Sequence, residues 1–184
     1  MPARMVRINM PSFWMSYVQV SDLDHTVAQA RQHPNVIIEV EPEPFDENAR
    51  VALVRDPSGA GFTLYEGPDL NSDGAAVTRY HHLQDIFLIT EFYADLFNWR
   101  FALDKREPWP VYSVFSNDGA MIAKVEEVPE SVRGTFSYWM PCFAVPSIEQ
   151  ILTVLPRIGA TIASDLGEGR LILCDRQGAH FMVS

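Results

Sequence analysis

Cysteine is scarce in this sequence of 184 residues, and its scarcity excludes several kinds of site. Cys142 and Cys174 are the only two, and their spacing fits neither a zinc site nor a redox motif. Both stand in apolar, strand-like runs, so we expect buried free thiols that pack as small hydrophobic side chains. A chain of this length can bury about 70% of its unfolded surface, so folding requires neither a disulfide nor a structural metal.

Basic residues and long hydrophobic runs are also lacking. The chain has 14 Lys and Arg against 24 Asp and Glu, a formal net charge of −10. Since phosphate binding needs clustered Lys and Arg, we expect no nucleic-acid partner. There is no apolar run of 18 residues and no signal-peptide pattern, so we expect a cytoplasmic protein with no membrane partner. No phosphate-binding glycine loop, nucleophile elbow or HExxH motif is present.

What the sequence does contain is one hairpin pattern that occurs twice. In residues 51–67, two strand-like runs flank Asp56-Pro57-Ser58-Gly59, the residue order of a type I turn. A weaker copy, LILCDRQGAHFMVS, occupies residues 171–184, with Asp175 and Gly178 in the matching places. The repetition indicates a chain built from repeated units.

The predicted elements follow the order β-α-β-β-β three times. Module A lies within residues 1–67, a polar linker covers 68–76, module B covers 77–128 and module C covers 137–184. Ser21 and Ser147 are the predicted helix caps of modules A and C. One amphipathic helix and a mixed sheet in each module predict an α+β fold. A lone module cannot cover both faces of its sheet, so the modules should pair, although three is an odd number.

Three segments resemble the vicinal oxygen chelate superfamily, which includes glyoxalase I, bleomycin-resistance proteins and extradiol dioxygenases. They are VRDPSGAGFTLYEG at 54–67, SYVQVSDLD at 16–24 and EFYADLFNW at 91–99. The last is similar to the family's FY…LFGW signature, with Asn98 where glycine is usual. The resemblance implies βαβββ modules that pair into an eight-stranded, cup-shaped mixed sheet around a small ligand, often on a divalent metal.

Among family members, the chain looks most like the larger ones with two tandem cups. In that comparison, modules B and C form a complete glyoxalase-like domain at 77–184, and module A is the second half of a truncated first domain. A strand at residues 3–9 would be the last strand of a module that is otherwise missing. Module A then lacks its usual partner, which a second copy of the chain could supply in a two-fold symmetric homodimer.

The metal-ligand places that the resemblance implies carry no ligating side chain. The family's first-strand histidine, seven residues before the helix start, falls on Met15, Thr78 and Met140. Its last-strand glutamate, seven residues after the turn aspartate, falls on Thr63 and Met182. Thioether and hydroxyl groups are poor ligands for divalent transition metals. We therefore expect no metal site and no cofactor.

Strand alternation selects four ligand-binding candidates for the cup of modules B and C. Tyr80 and His82 fall on the inward face of their strand, and Cys142 and His180 are expected to face the same cup. His82 could contact a ligand or act as a general base, or it could be a hydrogen-bonded group lining the core. His81 would point the other way, under the helix or to solvent.

Three functions are compatible with these residues. The preferred one is a metal-free cup protein that binds a small organic molecule, with tryptophans in the core or lining the cup and favouring an aromatic or apolar ligand. The second is a glyoxalase-like lyase or dioxygenase whose metal is held by relocated ligands around His82. The third is an interaction module whose cup is filled by its own side chains. Membership of a fold does not by itself establish lactoylglutathione lyase activity.

Overall fold

The computed structural model describes residues 12–69 and 77–184. The strand predicted at 3–9 and most of the predicted linker lie outside the described residues. The part of the chain that is described contains twelve strands, in a four-stranded sheet and an eight-stranded mixed sheet, with helices between them. The predicted α+β class is therefore confirmed. Within the described ranges, no helix is both long and apolar enough to cross a membrane.

The order β-α-β-β-β occurs three times, as the sequence predicts. The first set is β1 (Tyr17–Gln19), α1 (Leu23–Ala30), β2 (Ile37–Pro44), β3 (Arg50–Arg55) and β4 (Gly61–Glu66). The second is β5 (Val77–Leu83), a 3₁₀ turn (Ile86–Leu88), α2 (Thr90–Phe97), β6 (Arg100–Lys105), β7 (Val111–Phe115) and β8 (Met121–Glu127). After the short α3 (Glu130–Arg133), the third is β9 (Tyr138–Phe143), α4 (Ile148–Ile158), β10 (Thr161–Gly167), β11 (Arg170–Cys174) and β12 (His180–Val183).

The two hairpin turns predicted from the sequence are built in the same way. The carboxylate of Asp56 accepts hydrogen bonds from the backbone N–H groups of Ser58 and Ala60, at 2.8 and 3.1 Å. Asp175 accepts the equivalent bonds from Gln177 and Ala179, at 2.8 and 2.9 Å. In each turn the aspartate side chain satisfies amides that the tight bend would otherwise leave unpaired.

The helix ends are set by local capping chemistry. Ser147 caps α4 as predicted, accepting a bond from the backbone of Gln150, and Gly159 ends that helix in the left-handed conformation (φ 70°). The predicted cap at Ser21 is wrong by one residue. Asp22 has the extended backbone of a cap, and its carboxylate accepts a 2.9 Å bond from the backbone N–H of His25.

The chain divides into two compact units. Of the described residues, the larger unit contains 15–69 and 79–139. In it, β1 runs parallel to β4, β4 and β2 are each antiparallel to β3, and β5 runs parallel to β8. Its core is formed by buried apolar side chains from the helices and the sheets, among them Leu23, Val27, Phe62, Ile89 and Phe92. Each fully buried side chain of this size stabilises the fold by roughly 1.5–3 kcal/mol.

Of the described residues, the smaller unit contains 12–14, 77–78 and 140–184. Strands β10, β11 and β12 form an antiparallel run, and β12 pairs with β9 in parallel. Leu155 of α4 packs on Leu171, Leu173 and Val183 of the sheet. Ile148 and Ile151 of α4 pack against the same cluster. Leu152 and Ile158, which also belong to the predicted apolar stripe of this helix, are 41% and 52% exposed, so the sheet covers only part of that stripe.

Candidate functional site

A cavity of about 270 Å³ lies within the larger unit, between β1 and residues of β4, β5, α2, β8 and β9. Its walls are mainly aromatic and aliphatic, with a few polar groups. The lining residues are Ser16, Tyr17, Val18, Gln19, Phe62, Arg79, Tyr93, Trp99, Ile122, Ala123 and Trp139. Concave, largely apolar surfaces with a few polar groups are typical of small-molecule sites.

The aromatic wall is held by ring contacts. Tyr93 stacks on Trp99, with centroids 5.0 Å apart and planes 15° apart, and meets Trp139 edge-on at 5.9 Å. Trp99 and Trp139 make a further edge contact at 6.3 Å. Offset-stacked and edge-to-face pairs each contribute about 0.5–1.5 kcal/mol beyond the area that they bury. The three rings therefore form one packed wall.

Asn98 positions Trp99 by ending helix α2. It adopts the left-handed conformation (φ 55°, ψ 31°), and its backbone N–H bonds back to the carbonyl of Ala94. Asparagine enters this region more readily than other residues with a side chain. Asn98 therefore adopts the left-handed conformation that glycine, the usual residue of the family signature at this position, would also adopt.

A buried hydrogen-bond chain lies behind this wall. The indole N–H of Trp139 donates to the hydroxyl oxygen of Tyr93 at 2.9 Å, and the Tyr93 hydroxyl donates to Oδ2 of Asp56 at 2.9 Å. Asp56 is fully buried. Burial raises the pKa of Tyr93 well above its ordinary value, and the nearby Asp56 carboxylate acts in the same direction. Tyr93 therefore stays a protonated donor.

His81 packs against the same chain. Its ring stacks on Trp139, with centroids 4.5 Å apart, and its Nε2 lies 3.5 Å from Asp56 Oδ2 and 3.3 Å from Ser58 Oγ. Burial lowers the pKa of His81 to about 4; the Asp56 carboxylate opposes this shift and His82 adds to it. His81 is thus neutral at pH 7. The sequence left two orientations open for His81, under the helix or towards solvent. It lies under the helix, fully buried and near Tyr93 of α2.

Among the described residues that line the cavity, Arg79 is the only cationic one. Its side chain is exposed. Within residues 12–69 and 77–184, no carboxylate forms an ion pair with it and no group hydrogen-bonds to it. The guanidinium is therefore available at the cavity.

Tyr80 and His82, two of the predicted ligand contacts, project from the opposite face of β5. The parallel register sets Tyr80 beside Lys124 and His82 beside Glu126 on β8. His82 is fully buried, with Nε2 3.2 Å from Glu126 Oε2, although among the described residues neither ring nitrogen makes an aligned hydrogen bond. The two candidate rings are near each other, at 6.4 Å between centroids.

The other two candidates, Cys142 and His180, lie in the smaller unit. Cys142 is buried on β9 beside Met182 of β12, and its Sγ lies 3.4 Å from Ser184 Oγ. His180, at the start of β12, is exposed, and partial burial lowers its pKa. By strand alternation from Met182, the two side chains are on the same face of their sheet.

Two features of the larger unit were not predicted from the sequence. The first is Glu126 beside His82, which no sequence pattern singled out. Strand β8 contains a register shift between its pairings with Val114 and Phe115, and such a shift turns the residues beyond it to the other face of the strand. Arg79 was missed because alternation assigns it to the face away from the predicted cup. The signal available for it was that it is the only Lys or Arg in the strand VTRYHHL.

The metal places of the family have unsuitable chemistry here. Met140 and Met182 are thioethers and fully buried, and Thr63 offers one hydroxyl. Across residues 12–69 and 77–184, no group of three or more His, Cys, Asp or Glu side chains is placed to hold a metal ion. The residues at the family's metal places therefore do not fit a divalent cation.

No family model and no curated protein matches this sequence. Solved structures do match its fold. A glyoxalase I mutant from Zea mays aligns with 94% of this chain and 68% of its own, at a TM-score of 0.55 and 11% identity. A Mn(II)-bound glyoxalase from Novosphingobium aromaticivorans aligns with 91% of this chain and 61% of its own (TM-score 0.54, 10% identity).

A third match is the 2,3-dioxygenase LapB from Pseudomonas sp. KL28, which aligns with 91% of this chain and 69% of its own (TM-score 0.54, 13% identity). At these identities the likeness concerns the fold alone. The resemblance found in the sequence, in the repeated modules and in the segments at 16–24, 54–67 and 91–99, is also to glyoxalases and dioxygenases. The chain has the fold of the vicinal oxygen chelate superfamily.

Proposed function

We propose that this protein binds a small organic molecule in the cavity of the larger unit, without the divalent metal that its fold family often uses. The observation that carries the proposal is the cavity of about 270 Å³ with five aromatic residues in its lining. Aromatic and aliphatic walls favour a ligand with a flat apolar body, because burial of such a body is favourable and ring faces can stack.

Metal-independent binding is supported by the donor chemistry at the family's metal places. Methionine thioethers and a threonine hydroxyl stand where imidazole and carboxylate would be needed. Metal analysis of protein purified without a metal-chelating tag tests this part directly. A near-stoichiometric transition metal would contradict it.

The alternative, a metal-dependent enzyme, has one observation in its favour. His82 and Glu126 place an imidazole nitrogen and a carboxylate oxygen 3.2 Å apart in a buried site. These are two of the side-chain types that bind catalytic metals. A bound metal that is lost in His82→Ala would support this alternative over the first proposal. Tyr80, His82, Cys142 and His180 remain predicted ligand contacts.

Filling the cavity is the sharpest test of the binding proposal. Ala123 lies in the lining and is almost fully buried, so Ala123→Leu adds three carbon atoms to the wall. Ala102 lies on the exposed part of β6, and Ala102→Leu is the matched control. A screen of small aromatic compounds by thermal shift, followed by calorimetry, should find binders that Ala123→Leu loses and Ala102→Leu keeps. The absence of any binder to the wild type, or equal binding by both variants, would refute this site.

A homodimer through module A is a separate proposal. Among the described residues, β1 is a terminal strand of the four-stranded sheet, and Met15 and Tyr17 are 38% and 37% exposed. Terminal strands can pair with a second chain. Light scattering on a size-exclusion column should give twice the mass of one chain; the mass of a monomer would exclude the dimer. The cytoplasmic location stays a prediction.

A further inference from the structure

We propose that the ligand of this cavity is an aromatic carboxylate whose acidic group pairs with Arg79. This inference rests on the proposed binding function and adds the charge and the class of the ligand.

Three arginines of the larger unit form ion pairs with carboxylates, whereas none is seen for Arg79 among the described residues. Arg31 pairs with Glu41, Arg50 with Asp24 and Arg55 with Glu39. Among the described residues Arg79 has no such partner, although the chain carries ten more acidic than basic residues. A guanidinium presents a planar fork of donors that matches a carboxylate.

The remaining polar groups of the lining favour an anion over a cation. The described part of the lining includes no Asp or Glu, so no carboxylate among these residues would repel a bound anion. The Tyr93 hydroxyl and the Trp139 indole N–H are already engaged with each other and with Asp56. The amide nitrogen of Gln19 donates to the Gly67 carbonyl and to Asp69. Arg79 is thus the charged donor left for a ligand.

The cavity size limits the apolar part of the ligand. Its volume of about 270 Å³ exceeds the roughly 150 Å³ that accommodates benzene in an apolar protein cavity. It falls just below the range of about 300–1,000 Å³ that is typical of drug-sized ligands. One aromatic ring with a short acidic arm fits between these limits, and the wall formed by Tyr93, Trp99 and Trp139 supplies ring faces and edges for it.

The test uses three probes of similar shape: phenylacetate, its neutral amide phenylacetamide, and the non-aromatic anion cyclohexylacetate. Their dissociation constants are measured by calorimetry on the full chain at low salt. Because a hydrogen bond to a charged group is worth more than a neutral one, phenylacetate should bind about 10 to 100 times more tightly than the amide. It should also bind more tightly than cyclohexylacetate, since only an aromatic ring can stack on the wall.

Arg79→Gln should reduce phenylacetate affinity to that of the amide and leave the amide unaffected. Arg157→Gln, which removes an exposed arginine of the smaller unit, is the matched control and should bind as the wild type does. Circular dichroism confirms that each variant is folded.

Two results would overturn the inference in distinguishable ways. If the amide binds as well as phenylacetate, or Arg79→Gln changes nothing, the carboxylate inference fails while the cavity still functions as a neutral binding site. If none of the probes binds and the compound screen also finds nothing, the proposed binding function fails with it.

Discussion

The buried histidine beside the cavity should make the stability of this protein depend on pH. In the folded state burial lowers the pKa of His81 from 6.5 to about 4. In the unfolded chain the same imidazole is protonated as the pH falls through 6.5. Between these values the unfolded state binds more protons than the folded state, so the free energy of unfolding must fall as the pH falls.

The size of the effect follows from the separation of the two pKa values. A separation of about 2.5 pKa units corresponds to a loss of roughly 3 kcal/mol once the pH is below both values. At pH 5, where the unfolded imidazole is mostly charged and the folded one is not, linkage gives a loss of about 2 kcal/mol. Above pH 7 almost none of this loss is expected. A domain with a total stability of 5–15 kcal/mol would show such a change clearly.

Urea unfolding at several pH values between 7 and 4.5 measures the effect. Other groups also titrate in this range, so the informative quantity is the difference between the wild type and His81→Gln, in which the titrating group is removed. His81→Gln should be less stable at pH 7, because the ring contact with Trp139 is lost, but its stability should fall less steeply with acid. His25→Gln, at an exposed helix position, is the control for replacing a histidine. Parallel pH curves for the wild type and His81→Gln would refute the argument.

Three further sets of substitutions test the groups around the site. Tyr93→Phe removes the hydroxyl that donates to Asp56. Because buried polar atoms then lose their partner, the free energy of unfolding should fall by about 1–3 kcal/mol. A decrease smaller than the error of urea unfolding would contradict this. Asn98→Val should lower the free energy of unfolding by at least about 1 kcal/mol, because a β-branched residue fits poorly at φ 55°. Asn98→Gly should be tolerated. Equal stability of the two variants would argue against the left-handed conformation at this residue. For His82 and Glu126, each single change to Ala should cost about 3–5 kcal/mol and the double change less than the sum; strict additivity in a double-mutant cycle would show that the pair does not interact.

Much of the fold could be predicted because its signals are local. The turn at Asp56 depends on a side chain bonding to amides two and four residues along the chain, and such short-range chemistry is visible in the sequence. The same holds for the Ser147 cap and for Gly159. The error at the first helix was equally local. Ser21 and Asp22 are both good caps, and only the backbone conformation decides between them.

The site was harder to predict because its geometry depends on register. Alternation along β5 correctly separated His81 from His82, but it could not reveal which face borders a cavity. The bulge in β8 shifts the pairing by one residue, which is enough to turn every later side chain to the other face. The contact between His82 and Glu126 therefore became visible only in the folded chain.

Asp56 connects the hairpin turn, which the sequence predicts well, to the aromatic wall of the cavity, which the sequence does not predict. Its Oδ1 closes the turn, and its Oδ2 accepts the hydroxyl of Tyr93, which in turn accepts the indole N–H of Trp139. Both rings line the cavity, and Asp56, which fixes their orientation, is fully buried and is not one of the lining residues. A wall held in this way loses little rotamer freedom when a ligand binds, and that lowers the entropic cost of binding. The hairpin that identifies the fold therefore also preorganises the aromatic wall of the proposed site.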